Sequence, residues 1–552
     1  MGADPNPSWG RLEWLLHTID IVKSSHRGSG DSTQGRNRTE HERPVGVEEV
    51  DLHRTERSGP RWESDEPIIP VKPAKAGGGK GLWFWVLSKK GRIRRLGNLE
   101  TPTTIRSLQR KLYRKAKNEP GYRFYLLYDK LYREDILIHA YHVAKANGGA
   151  AGVDGVGFDQ IEQEGVGAFL AKLREELKGQ KYRPMPVRRV YIPKPNGGQR
   201  PLGIPCIRDR VVQTTATLVL GPIFEADLTD NAYAYRPRKS ALDAIRRVHA
   251  LLQGGYTEVV DADLSKYFDE IPHAELMRSV ARRISDAKVL KLIKLWLKAP
   301  VEERDEKGNR RLTGGKGRQK GTPQGGVASP LLANIYMRRF LLAWEKKQLP
   351  EKLNAQVVDY ADDFVILCRG TAQKARDAAE QIITGMKLRM NQEKTQVVDA
   401  SRQPFDFLGY TFGPCFAARS SAVYLGARPS RGRIKRLYGK VREHLRRGNN
   451  DPLEDVVDTM NRTLVGWSQY FSYGTLSKAY RTVDYLVRAR LRWWLCRRHK
   501  VKGRGTRRFP DNKLYGKFGL VCLDKLLSAR RSNACGESSP RAGCGKSARP
   551  VR

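Results

Sequence analysis

One stretch, Val357 to Cys368 (VVDYADDFVILC), limits what this chain can fold into more than any other. Two runs of β-branched, aliphatic and aromatic residues flank Tyr360-Ala361-Asp362-Asp363, which predicts two strands joined by a tight turn with adjacent carboxylates at its tip. Like charges held side by side repel, and a hydrophobic hairpin has little structural reason to present them unless something cationic sits there. The plainer reading is an ordinary Asp-rich turn. The neighbouring motifs decide between the two.

The chain's 552 residues allow several domains and a sizeable core. Lysine and arginine outnumber aspartate and glutamate by 102 to 59, a formal net charge of +43. A field of that size points to a polyanionic partner, nucleic acid before an anionic membrane; a solvated basic surface is the bland alternative. No apolar run approaches the roughly 20 residues that cross a bilayer, and the N-terminus lacks a secretory pattern, so a cytoplasmic protein with no membrane partner is expected. The seven cysteines are scattered without CxxC pairing, which argues against a disulfide framework and a structural zinc site.

Residues 1–97 are heterogeneous, with a Pro/Lys segment and an aromatic patch at Trp83-Phe84-Trp85, and are expected to be a largely disordered N-terminal extension. From Leu99 the pattern turns to amphipathic helices whose basic faces suit RNA phosphates, closing at Gly148-Gly149. The stretch VRRVYIPKPNGGQRPLGIP predicts a β-hairpin with Lys194 and Arg200 on either side of its turn. Val259 to Asp263 is a short strand ending in carboxylate, and Ser329-Pro330 opens a helix after the Gly-rich loop GTPQGGVA. Beyond the YADD hairpin lie an amphipathic helix and two candidate strands, EKTQVVD and FDFLGYTF. Residues 428–508 read as helical, with 22 lysines and arginines against six acidic residues. There Trp467, Tyr470, Phe471, Trp493 and Trp494 are expected to serve packing more than base stacking. From about residue 524 to 552 Ser, Gly and Arg predominate, and disorder is expected.

Phosphoryl transfer to a growing nucleic acid uses two divalent cations about 3.5–4 Å apart, one activating the attacking 3′-hydroxyl and one steadying the triphosphate. Magnesium prefers oxygen ligands and keeps water, so two or three carboxylates suffice. Asp263 at a strand end and Asp362-Asp363 on a hairpin tip are the candidates.

The ordered series YIPKPNGGQRPLGIP, AYRPRKSALDAI, DADLSKYFDEIPH, GTPQGGVASPLLANIYM, YADDFVILC, NQEKT and FLGYTF resembles the reverse transcriptases encoded within group II introns, from about Leu99 to Val501. The resemblance implies an α+β right-hand polymerase: fingers and palm with the YADD hairpin over residues 98–424, an α-helical thumb/maturase domain over 425–508, and a basic tail over 509–552. It implies two Mg²⁺ ions held by Asp263, Asp362 and Asp363, with Asp261 and Asp269 as the tempting wrong choices. Lys194 and Arg200 match the fingers residues that meet the incoming triphosphate. Phe268 matches the bulky position that blocks a ribose 2′-hydroxyl, Gln324 a residue near the nucleotide sugar and template, and Lys394 a lysine near the active site. Arg431, Arg433, Lys435 and Arg436, in RPSRGRIKRL, fall where the maturase-specific domain binds the parent intron RNA. The implied partners are that RNA, an RNA template with a DNA primer or target, and dNTPs, in a bacterial ribonucleoprotein.

Two departures stand out. No histidine follows His499, and Cys535 and Cys544 are not paired for zinc, so the His-Asn-His endonuclease of many relatives is expected to be absent. AYAYRP stands where many relatives have Gly-Phe before Arg-Pro, and Ala234 narrows backbone freedom there. Two alternatives stay open: a host-adapted polymerase in DNA repair or defence, and an RNA-binding splicing factor with an inactive polymerase.

Overall fold

Strand Asp363–Cys368 runs through the middle of a four-stranded antiparallel sheet in the order Gln396–Asp399, Glu258–Asp263, Asp363–Cys368, Ala355–Tyr360. The expected hairpin forms: Ala355 faces Cys368 and Tyr360 faces Asp363. Every residue from Phe364 to Cys368 is fully buried, which is why the run reads as continuously apolar rather than alternating. Helices Ser329–Lys346, Ala372–Gly385 and Ala241–Gln253 pack around it, and the Phe340 and Phe364 rings meet at 5.1 Å. The last of these helices begins with a capping box in which Ser240 and Asp243 satisfy each other's backbone N–H groups.

The computed structural model describes residues 84–87, 93–96, 99–193, 198–304, 309–417 and 422–536. A second sheet holds the expected hairpin Val187–Pro193 and Gln199–Ile204, extended by Pro300–Arg304 and Arg310–Gly314. Between the sheets in sequence lies Ile207–Glu225, a helix buried on nearly all sides. The amphipathic helix Thr103–Asn118 packs on it, and Gln109 Nε2 donates to the Leu218 carbonyl at 3.0 Å.

Two expectations need correction. FDFLGYTF, read as one strand, is two: Phe405–Phe407 and Tyr410–Phe416 fold back on each other through Leu408 and Gly409, whose φ values are 50° and 83°. An apolar residue in the turn hides the reversal from any reading of hydrophobic pattern. The second concerns the C-terminus. Strand Val423–Pro429 precedes helices Arg431–His444, Leu453–Tyr470 and Ser477–Arg498, and the fold continues beyond them. Phe509, Leu514, Leu520, Leu523 and Leu527 are buried, and a helix spans Leu523–Gly536. Asp484 fastens it by accepting the Leu523 and Asp524 N–H groups at 2.8 and 2.9 Å. Residues 509–530 are therefore folded rather than a tail, because a few well-spaced leucines suffice to dock a segment whose composition is polar. Residues 537–552 lie outside the described residues, as does most of 1–97; within the latter only the pairing of Phe84–Leu87 with Ile93–Leu96 is described. No helix among the described residues is long and apolar enough to cross a membrane.

Candidate active site

Strand Glu258–Asp263 ends where the hairpin turns, and its register sets Asp263 directly opposite Asp363. The turn is tight because Ala361 takes a left-handed φ of 67°, a conformation that costs a residue with a Cβ. Leu264 N–H donates to the Asp362 carbonyl at 3.2 Å and so ties the strand end to the hairpin tip. Three carboxylates, two from the ends of the central strands and one from the turn, thus gather at one end of the sheet.

The side chains around them are fixed. Lys394 Nζ sits 2.8 Å from Asp263 Oδ2, and Asn391 donates to the same residue through its backbone N–H (2.8 Å) and its side-chain amide (3.3 Å). The hydrogen bond to Asp263 holds the Lys394 ammonium above its ordinary pKa. Asp363 stands at the rim, open to solvent on one side and crowded by protein on the other; burial, then the charges of Asp362, Asp263 and Asp261, push its carboxyl up to about 7. Burial raises Asp362 as well, opposed by Arg200. Asp261 is pushed to about 6 by burial and accepts from Gln396 at 3.4 Å.

On the fingers side, Arg200 Nε reaches Gln324 Oε1 at 3.4 Å, and Gln324 Nε2 donates to Asp269 at 2.8 Å. Gly203 N–H donates to the Gln324 carbonyl at 2.6 Å. Gly325 makes this approach possible, since a Cβ there would lie 2.3 Å from the Gly203 carbonyl oxygen. Phe268 is buried five residues beyond Asp263, and its carbonyl accepts the Thr322 N–H at 2.7 Å. The structure therefore brings Asp263, Asp362, Asp363 and Lys394 together and links Arg200 to Gln324, whereas Lys194 lies outside the described residues. Of the four thumb cations, Arg433 is half-buried against Gly409, and Arg431, Lys435 and Arg436 are exposed on the helix Arg431–His444.

Two residues were missed by sequence reasoning. Asp359 is 2 % exposed beneath the tip, with Oδ1 lacking a hydrogen-bond partner, and burial lifts its carboxyl well above the ordinary range. Tyr235 is half-exposed beside Asp362, which together with burial pushes its phenol up to about 12. The VVDYADD string displays Asp359, but only the packing reveals that it is buried, and nothing in AYAYRP signals where Tyr235 stands.

Among the described residues no three His, Cys, Asp or Glu side chains form a ready-made metal cage. The donor set nonetheless fits a hard cation: it is all carboxylate oxygen, its mutual repulsion is only partly offset by Lys394 and Arg200, and magnesium is commonly held by one or two carboxylates plus substrate phosphates and water.

A sheet whose strand ends gather carboxylates beside a cationic hairpin defines a nucleotidyl-transfer enzyme of the polymerase class. Residues 192–412 match the family described as reverse transcriptase (RNA-dependent DNA polymerase), and residues 434–510 match the group II intron maturase-specific domain. Protein YkfC of Escherichia coli is 34% identical over 343 residues, which span 55% of this chain and 87% of that protein. Group II intron-encoded protein LtrA of Lactococcus lactis is 29% identical over 60% of this chain and 62% of its own length. The Arabidopsis thaliana protein nuclear intron maturase 2, mitochondrial, is 36% identical over 97 residues, 17% of this chain and 13% of the relative. The chain belongs to the group II intron reverse transcriptase/maturase family, with its α+β polymerase region followed by a helical maturase-type region.

Proposed function

We propose that the protein copies RNA into DNA at Asp263, Asp362 and Asp363 with two Mg²⁺ ions, and binds its parent group II intron RNA to promote splicing and retrohoming. The observation that carries this reading is the cross-strand pair Asp263 and Asp363, with Asp362 and the Arg200 guanidinium acting on the same cluster. Bound there, the ions would activate the primer 3′-hydroxyl and neutralise charge on the departing pyrophosphate.

The protein's own groups do the rest. Asp263, Asp362 and Asp363 offer oxygen ligands on rigid strand ends, so the reacting groups meet in one geometry. Lys394 pairs with Asp263 and keeps an ammonium beside the carboxylates, where it would also face substrate phosphates. Arg200 places positive charge where the triphosphate would lie, and Lys194, outside the described residues, is the second cation the sequence offers for that role. Phe268 closes the space a ribose 2′-hydroxyl would need, and Gln324 holds the loop that faces Arg200.

RNA binding falls to the helices after Ser430, where Arg431, Lys435 and Arg436 point to solvent and Arg433 lies nearer the sheet. Trp493 is half-buried, with the Arg490 and Arg497 guanidiniums 3.9 and 5.1 Å from its ring centroid. Each neutralised phosphate releases counterions and strengthens binding. The test is purified protein with an RNA template, a DNA primer, dNTPs and Mg²⁺, run beside a splicing assay on the intron transcript. Mg²⁺-dependent primer extension and accelerated splicing are expected. A chain that splices the transcript but extends no primer would contradict the polymerase half.

A further inference from the structure

Tyr235 stands out among the residues that the polymerase reading leaves without a role. Its φ is 55°, the left-handed region that a bulky aromatic residue avoids and that persists only where the surroundings over-determine it. Both flanks are clamped. Asn334 Nδ2 donates to the Ala234 carbonyl at 2.8 Å, and the buried Arg236 guanidinium is spent on Glu225 (2.7 Å) and on the Thr229 and Ala232 carbonyls (2.5 and 2.8 Å). The segment before it is an extra edge on the central sheet. Ala232 bridges Asp359 in parallel, Asp359 N–H donates to the Asn231 carbonyl, and Tyr233 N–H donates to the Asp359 carbonyl, both at 2.9 Å.

That parallel register has a consequence for position. Three residues beyond Ala232 the segment reaches Tyr235, just as the hairpin, three residues beyond Asp359, reaches Asp362. The groups acting on the Tyr235 phenol agree with this: Asp362, Tyr360, Arg200 and Asp363. Yet the ring is not core, for 46% of the residue is exposed. A strained backbone holds a large aromatic side chain half-open to solvent within electrostatic reach of both the carboxylates and Arg200.

We propose that Tyr235 is a substrate-contacting residue of the polymerase site, its ring forming the wall against which the incoming deoxynucleotide packs while Arg200 and the carboxylates hold its phosphates. This rests on the polymerase reading above. The contact is made by the ring face, and the hydroxyl is secondary. The left-handed backbone is retained because it turns the ring toward the nucleotide.

The strain makes the role testable, since a residue at ease with positive φ relieves it while removing the ring. Tyr235→Gly, Tyr235→Asn and Tyr235→Phe are compared with wild type by thermal midpoint. They are also compared by equilibrium binding of the next correct dNTP to protein loaded with RNA template and a dideoxy-terminated DNA primer, so that no turnover is needed. Gly and Asn are expected to keep or raise the midpoint while weakening dNTP binding roughly tenfold or more, the scale of a lost aromatic–base contact. Phe is expected to keep both near wild type. Unchanged dNTP affinity in the Gly and Asn variants would overturn the proposal, as would weakened binding that merely tracks a lower midpoint in all three. Wild-type protein that binds no dNTP on the loaded primer would instead count against the polymerase reading itself.

Discussion

The hairpin tip and the helices after Ser430 are both concentrations of charge, but they are built in opposite ways. At the tip, Asp263, Asp362 and Asp363 sit on strand ends locked by register, crowded by protein and repelling one another. Along Arg431–His444 the cations are spread along a helix, with Arg431, Lys435 and Arg436 exposed and Arg433, Lys440 and Arg442 half-buried. Chemistry needs a few groups in one place, so the fold tolerates their repulsion. Binding a polyanion needs only summed charge, so the surface can be redundant. Substitutions at the tip should accordingly be severe and specific, and those on the helix mild and cumulative.

The largest expected effect follows from removing one carboxylate. Asp363→Asn should lower the rate of Mg²⁺-dependent nucleotide addition by about a thousandfold, since a cation's charge stabilisation is worth several kcal/mol and each 1.4 kcal/mol is tenfold. Single-turnover primer extension on an RNA template measures it; a loss under tenfold would break the contrast. Phe268→Ala comes next. It should raise the efficiency of ribonucleotide incorporation relative to deoxynucleotide by roughly ten- to a hundredfold, read as a ratio of kcat/KM values, and an unchanged ratio would remove the proposed gate.

A third expectation concerns stability against pH. Asp363 titrates near 7 in the fold but near 3.9 in an unfolded chain. The native state therefore binds the proton more tightly, and this group's contribution to stability falls as pH rises from about 4 through 7. In EDTA, Asp363→Asn should melt above wild type at pH 8 and lose that advantage towards pH 4, and Mg²⁺ should narrow the gap at pH 8. Thermal unfolding at the two pH values checks the sign. The smallest effects belong to the helix: Arg431→Ala, Lys435→Ala or Arg436→Ala should each weaken RNA binding a few-fold and reduce the salt slope by about one unit, leaving sequence preference alone. A collapse of binding from any one of them would mean that this surface, too, is a precise site.

Much of the tip was legible because strands and turns announce themselves locally. The apolar runs on either side of Asp362-Asp363 and the strand ending at Asp263 need only residue type and spacing. What pattern alone could not supply is register. Nothing in the string says that Asp263 faces Asp363, that Gln324 bridges Arg200 and Asp269, or that Asn231–Tyr233 adds an edge to the sheet and carries Tyr235 to Asp362. Asp359 was hidden for a related reason, since a carboxylate three residues before Asp362 looks like part of an acidic turn until packing buries it. The reversal at Leu408 and the docked helix Leu523–Gly536 escaped because hydrophobic period and composition average over the few residues that decide them.

The division between a site of chemistry and a surface of binding is tested most directly by Asp362→Ala combined with Asp363→Ala, assayed twice on the same preparation. Primer extension on an RNA template should vanish, while affinity for the intron RNA and acceleration of its splicing should stay within a few-fold of wild type. Continued Mg²⁺-dependent DNA synthesis by that variant would contradict the assignment of the carboxylates, and a parallel loss of RNA binding would contradict their separation from the helices.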